Sequence, residues 1–93
     1  MDTISQNKKV LAYLSEVGEI SRNLAYRTFA IGRLGARIQD LKYDGLLVNV
    51  ADETEEEKKR NIKNKVLRYA AHYGKKIGKP KSQWSDYFYT IIK

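Results

Sequence analysis

Aliphatic residues in the first half of the chain recur at helical spacing, and glycines break the recurrence. Val10, Leu11, Leu14 and Val17 stand at i, i+1, i+4 and i+7, which sets them on one face of an α-helix. The spacing predicts a first helix over residues 5–17, with Ser5 as N-cap and Gly18 ending it in a left-handed conformation. In "EIS" the lone apolar Ile20 suits a short buried extended bridge, and Ser21 offers a second N-cap. "RNLAYRTF" reads as a short second helix with Leu24, Ala25, Thr28 and Phe29 facing inward. "AIG" is the turn that follows, Ile31 pointing into the core and Gly32 letting the chain change direction. A third helix starts at Arg33, where Leu34, Ile38 and Leu41 fall at i, i+4 and i+7 before Gly45 closes it. "LLVNV" is β-rich, too short for a helix, and bounded by "DG" and "AD".

Beyond residue 52 the pattern admits two readings. Ile62, Val66, Tyr69 and Tyr73 recur at i, i+4, i+7 and i+11, Thr54 and Glu57 have the spacing of a capping box, and Gly74 follows as a stop. These features favour a fourth helix over residues 53–73. In the rival reading "KVLRYA" is a returning strand and the charged run before it a long mobile wing. "KKIGKPK" is a basic linker whose Gly78 and Pro80 forbid regular structure. In "SQWSDYFYTIIK", Trp84, Phe88, Ile91 and Ile92 suit a helix face capped by Ser82, while Tyr87, Tyr89 and Ile91 suit a strand; the helix is preferred. So aromatic a tail needs a surface, either the main core or a second copy of the chain. The expected organisation is a core over 1–52 and a basic helical extension with an aromatic tail over 53–93.

Three short helices followed by a strand is the order of a winged helix. At about 100° per residue, the stripe of Leu34, Ile38 and Leu41 leaves Arg33, Ala36, Gln39, Asp40 and Tyr43 opposite, with Arg37 and Lys42 on the flanks. Arg and Gln suit guanine and adenine edges in a major groove, and Gly35 and Ala36 keep bulk low where a backbone would approach. The plainer alternative is a solvated face on which Arg37 and Asp40 form an i, i+3 surface pair. The order of the elements tips the reading toward a helix that meets DNA. Arg22 and Asn23, opening the second helix, would then sit where backbone amides and short polar groups hold a phosphate.

The stretch "KKVLAYLSEVGEISRNLAYRTFAIGRLGARIQDLKYDGLLV" resembles the small winged helix-turn-helix domains of bacteriophages and prophages. Their pattern is a helix "ILxYL", a glycine, an "IS" or "IT" cap, a second helix and then "fGIxRLaaRIxdLrxxG". The resemblance covers residues 8–48 and is most specific in "GRLGARIQDL"; Ala30 stands where the family commonly has Gly. It implies a mainly α fold, a three-helix core with a short β wing, and a role in binding double-stranded DNA as a transcriptional regulator or recombination accessory. It places Arg33, Arg37, Gln39 and Lys42 at recognition-helix positions.

Charge sharpens the partner. The 93 residues carry a formal net charge of +7 and a pI near 9.7, a surplus that favours polyanions through counterion release. Residues 1–52 hold seven basic side chains against six acids, whereas 53–93 hold eleven against five, and no acid falls between Lys58 and Lys81. If that segment is helical, Lys58, Lys65 and Arg68 come near one another, while Lys75, Lys76, Lys79 and Lys81 form a flexible arm for a phosphate backbone. A solvated helix and a charged linker that keep the protein soluble explain the same run equally well. The interleaved aromatic residues could stack on bases, although packing in a core or dimer is the commoner fate.

Catalytic chemistry has little to draw on. There is no Cys, His72 is the sole histidine and reads as a structural or surface residue, and no glycine-rich phosphate loop or helical carboxylate pair occurs. The expectation is therefore no enzyme, no cofactor and no metal. No apolar run is long enough for a membrane, and "MDTISQNKK" lacks signal-peptide order, so a cytoplasmic, nucleoid-associated protein of a bacterial host is expected. Besides DNA, the expected partners are a second copy through the aromatic tail, or, in an alternative reading, a host protein docked on the C-terminal helix and tail.

Overall fold

The first helix, α1 (Thr3–Val17), starts ahead of its predicted cap, so Ser5 lies inside the helix instead of before it. The computed structural model describes residues 3–92, with the side chains of residues 76 and 77 outside that description. Val10 and Leu14 are the buried residues of α1. Gly18 follows with φ of 90° and donates its amide to the Leu14 carbonyl at 3.0 Å, a left-handed stop that costs glycine no Cβ clash.

The short bridge β1 (Glu19–Ser21) leads into α2 (Arg22–Phe29), and the Ser21 hydroxyl accepts from the Leu24 amide at 3.1 Å, as its N-cap role requires. Ala25 and Leu24 turn inward, but Thr28 is exposed. The turn after α2 pivots on Ala30 rather than Gly32: Ala30 is left-handed at φ 56° and donates to the Ala25 and Tyr26 carbonyls. The third helix, α3 (Leu34–Tyr43), begins one residue later than predicted, with Arg33 in the N-cap position. Leu34, Ile38 and Leu41 are buried, as their spacing required, and β2 (Leu47–Asn49) follows.

The second half divides the two sequence readings between them. Thr54 and Glu57 do close a capping box, and α4 (Glu55–Lys63) forms with three glutamates in its first turn, where the helix dipole favours them. It stops at Asn64, ten residues short of the predicted glycine, because Lys65 takes a left-handed φ of 57° and breaks the ladder. Tyr69 and Tyr73 therefore lie not on a helix but on the returning strand β3 (Leu67–Tyr73). The tail is likewise a strand, β4 (Tyr87–Ile91), and Ser82 caps no helix there. The "KKIGKPK" stretch is not free of regular structure, since short 3-10 turns form at Gly74–Ile77 and Lys81–Gln83 on either side of Gly78 and Pro80.

The four strands make one sheet in the order β1-β4-β3-β2. β4 runs antiparallel to both neighbours, whereas β2 and β3 are parallel, a pairing that needs a crossover and obtains it from α4. The expected division at residue 52 thus runs through the sheet: β1 and β2 precede it, β3 and β4 follow it. Ile20, Tyr69, Tyr89 and Leu47 join the helical residues in one buried cluster. Of the two surfaces expected for the tail, the main core is the one that Phe88 and Tyr89 take, while Trp84 and Ile92 stay exposed.

Candidate nucleic-acid interface

Once its aliphatic stripe is sealed, α3 has three remaining sides, and each carries different chemistry. Toward α1, Arg37 donates Nη1 to Gln6 Oε1 at 3.0 Å and brings Nε within 3.1 Å of Asp40 Oδ2, while Asn7 donates to the same carboxylate at 3.4 Å. Asp40 and Arg37 are thereby turned into the joint between α1 and α3. The i, i+3 pair of the plainer reading exists, and neither residue points where a base or a free phosphate contact was expected.

The outward side keeps Arg33, Gln39 and Tyr43 exposed, with Ala36 half-buried between them. Tyr43 is 92% exposed. The third side borders a groove of about 560 Å³ between α3 and the sheet, reached by Arg33, Ala36, Gln39 and Lys42 and floored by Tyr69, Tyr87 and Tyr89. Lys42 Nζ stands 3.6 Å from Asp52 Oδ2 at its edge.

The floor is an aromatic chain built by strand register. Ala71 pairs with Tyr89 and Tyr73 with Tyr87, so alternation puts all these side chains on the helix-bearing face. Tyr69 meets Tyr89 at 5.7 Å, Tyr89 meets Tyr87 at 5.3 Å, and Tyr87 meets Tyr73 at 4.9 Å, each edge to face. Burial pushes the Tyr69 phenol up to about 12, helped by the nearby Tyr89 and Asp52, against a smaller opposite effect of its hydrogen bond with Asn49. Burial raises Tyr89 as well. Both phenols therefore remain neutral donors at any ordinary pH.

The connection 74–86 between β3 and β4 has the place of a wing, and it is fastened at both ends. Asp86, 5% exposed, accepts the Asn23 amide at 3.1 Å and the Tyr87 amide at 2.9 Å through one oxygen. Arg22 donates to the Ser85 carbonyl at 3.0 Å and lies over the Tyr87 ring. The N-terminus of α2 is thus closed by Ser21 and Asp86, and Arg22 and Asn23 are engaged by the protein itself where a phosphate was expected. On the opposite face of the sheet, Lys79 donates to Glu19 at 2.9 Å and covers Phe88 at 4.8 Å. Glu19 also accepts from Thr90 at 3.0 Å, and His72 contacts Thr90 at 2.9 Å while stacking on Phe88. A side chain at Gly74 would collide with the Gln83 carbonyl oxygen, so the two ends of the wing approach each other at a position that requires glycine.

The remaining candidate cations are dispersed. Arg68 projects from β3 and grips Glu53 with two nitrogens at 2.9–3.1 Å, Asn61 supporting the same carboxylate at 2.8 Å. Those hydrogen bonds hold Glu53 below the ordinary carboxylate range and raise Arg68. Lys58 is exposed on α4 and Lys65 is exposed in the turn before β3, so the three do not form the helical cluster that was anticipated. Lys75 is exposed in the wing, and the Lys76 side chain lies outside the described residues. Sequence reasoning missed Asp86 and Tyr89. The alternation of Tyr87, Tyr89 and Ile91 was the available signal for Tyr89; nothing in the local sequence marks Asp86.

A helix-turn-helix whose last helix is followed by strands and a wing defines the class. The family model described as "Winged helix-turn-helix domain" matches residues 5–72, and the chain belongs to that family. The match spans α1 through nearly all of β3 and stops before the wing and β4. No curated protein and no solved structure matches the chain. Membership supports a DNA-binding role in general. Among the described residues no helix is long and apolar enough to cross a membrane, and no group of His, Cys, Asp or Glu could hold a metal ion.

Proposed function

We propose that this chain is a sequence-specific, double-stranded DNA-binding protein, encoded by a phage or prophage and acting in the host cytoplasm as a transcriptional regulator or recombination accessory. α3 enters the major groove. The observation that carries this reading is the division of α3, whose aliphatic stripe is sealed beneath while Arg33, Ala36, Gln39 and Tyr43 face outward. Arg33 and Gln39 read base edges, a good bidentate pair being worth roughly 1–3 kcal/mol of discrimination. Ala36 permits close approach, and Tyr43 packs against the groove wall. Lys42 at the edge of α3 and Lys75 and Lys81 in the wing hold phosphates on either side.

Selection from a random duplex library with the purified protein tests the reading, and an enriched motif is the expected result. Arg33→Ala with Gln39→Ala should erase the motif and leave the thermal midpoint unchanged. Because Arg22, Arg37, Arg68 and Lys79 already have protein partners, the salt slope should be modest. The three cations assigned to phosphates, Lys42, Lys75 and Lys81, give about −3 in log K per log salt at roughly 0.9 per phosphate. Failure of any duplex to bind in dilute buffer would overturn the proposal.

A further inference from the structure

Ile4, Val17, Leu46 and Ile92 are apolar side chains left 39–67% exposed, and all four border a run of three shallow cavities beside α1. The first, of about 210 Å³, is lined by Ile4, Leu11 and Leu46. The second, of about 290 Å³, shares Leu11 and Leu46 with it and adds Ser15, Val66 and Leu67. The third, also about 290 Å³, shares Ser15, Val66 and Leu67 and reaches Val17 and Ile92. Shared walls make the three one groove, roughly 20 Å long from Ile4 to Val17 at the helical rise per residue. A continuous apolar surface of this kind on a small chain marks an interaction site.

Charge sits at the two ends of the groove. Lys8 and Asp44 flank the Ile4 end, and Glu16 and Lys65 flank the Val17 end. All four are exposed, and among the described residues none of them has an ion pair of its own. Arg68, a further charge at the second end, is already held by Glu53. Lys8 and Glu16 stand on α1, whereas Asp44 and Lys65 stand on the wall made by the turns that follow α3 and α4. Each wall therefore has one cation and one anion, in opposite order. At the first end Asn7 adds a buried side-chain oxygen with no hydrogen-bond partner among the described residues.

We infer that this groove is where a second copy of the chain docks, the two grooves lying face to face and antiparallel across a two-fold axis near Leu11 and Leu46. The axis sets Lys8 against the partner's Glu16 and Asp44 against the partner's Lys65, and symmetry makes each pair twice. Ile4 then meets the partner's Val17 and the partner's Ile92. A parallel pairing would set Lys8 against the partner's Lys8 and Glu16 against the partner's Glu16, so charge selects the antiparallel one. Exposed ion pairs give the docking its direction more than its strength; burial of the apolar line supplies the affinity. None of Arg33, Ala36 and Gln39 lines the groove, so both copies of α3 stay free. Given the DNA-binding reading, the dimer would meet an inverted repeat, but the docking itself does not depend on that reading.

Sedimentation equilibrium of the full chain in dilute buffer, without DNA, tests the inference. A reversible equilibrium between monomer and dimer is expected. Lys8→Glu and Glu16→Lys each turn two attractive contacts into repulsive ones, and each should weaken the dimer roughly tenfold or more. The double variant Lys8→Glu with Glu16→Lys exchanges the charges and should restore it. Both positions are exposed, so circular dichroism and the thermal midpoint should not change. Leu46→Asp, which puts a charge beside the axis, should leave a monomer.

A chain that stays monomeric up to about 1 mM overturns the inference. So does a dimer that ignores Leu46→Asp and both single reversals, since it would use another surface. Single reversals that weaken the dimer with no rescue in the double variant overturn the antiparallel pairing. None of these results bears on the proposed function, which duplex selection tests separately.

Discussion

Phe88→Ala separates a buried strand from a surface tail by magnitude. On an exposed helix at the end of the chain, truncation of a phenylalanine falls within the roughly ±0.5 kcal/mol typical of surface changes. In the structure Phe88 is 6% exposed, stacked on His72 at 5.8 Å, covered by Lys79 at 4.8 Å and wedged against the Gly74 position. A buried phenylalanine removes about 150–250 Å² from water, which at about 25 cal/mol per Å² sets a ceiling near 4–6 kcal/mol. Measured truncations of this kind cost about 3–5 kcal/mol. One side of the cavity is formed by a lysine and a wing that can settle inward, so the expected loss is near the low end, about 3 kcal/mol. A domain of this size holds about 5–14 kcal/mol in all, so the variant should fold but with much of its margin gone. Trp84→Ala is the control: its ring is 45% exposed and its indole nitrogen bonds the Lys79 carbonyl, and its loss should cost under about 1.5 kcal/mol. Urea titration followed by far-ultraviolet circular dichroism gives both values. Equal effects of the two substitutions, or a Phe88→Ala loss below about 1 kcal/mol, would refute the placement of β4.

Ala30→Gly should stabilise the protein by about 0.5–1 kcal/mol, because alanine at φ 56° carries left-handed strain that exceeds glycine's entropic penalty; a lower denaturation midpoint would contradict the turn geometry. Stability should also fall at both ends of the pH scale. Glu53 is depressed, so its share is present above the ordinary carboxylate pKa of 4.5 and is lost as pH drops through its lower folded value; Glu53→Gln should flatten that acid limb. Tyr69 is raised, so its share is present below pH 10 and is lost as pH climbs toward about 12; Tyr69→Phe should shift the alkaline limb upward.

The first half of the chain was legible because its helices are amphipathic at a single period. Val10, Leu14, Ala25, Ile31, Leu34, Ile38 and Leu41 are all buried where their spacing placed them, and Ser21 and Gly18 finish their helices by local chemistry. The second half was ambiguous for a physical reason. Tyr69 and Tyr73 are four residues apart, an interval that shares a face in a helix and, being even, also in a strand. Trp84 and Phe88 repeat the same degeneracy. The decisive breaks are a lysine in a left-handed conformation at position 65 and the parallel pairing of β3 with β2, neither of which lysine propensity or a short window announces. Asp86 illustrates a different limit. Its partner amide on Asn23 is 63 residues away, so a local reading sees an acid in a loop where the fold has a helix cap.

Long-range pairing also changes what the net charge means. The basic surplus was read as a footprint for phosphates, but the acids that neutralise it are distant in sequence: Glu53 lies 15 residues from Arg68, and Glu19 lies 60 from Lys79. The Lys79 pair fastens the second half of the chain to the first through β1, while the Arg68 pair ties β3 to the segment that enters α4. Several cations that a composition-based account assigns to DNA therefore work inside the protein. The exposed cations that remain are scattered, Arg33 at the start of α3, Lys58 and Lys65 around α4 and Lys75 in the wing, and the wing itself is joined to α2 and β1 through Asp86, Arg22 and Lys79. A rigid pair of contacts presented by a prepaid scaffold loses little ordering entropy on binding. It also makes recognition depend on geometry more than on bulk charge, which is why a modest salt slope is the expected result.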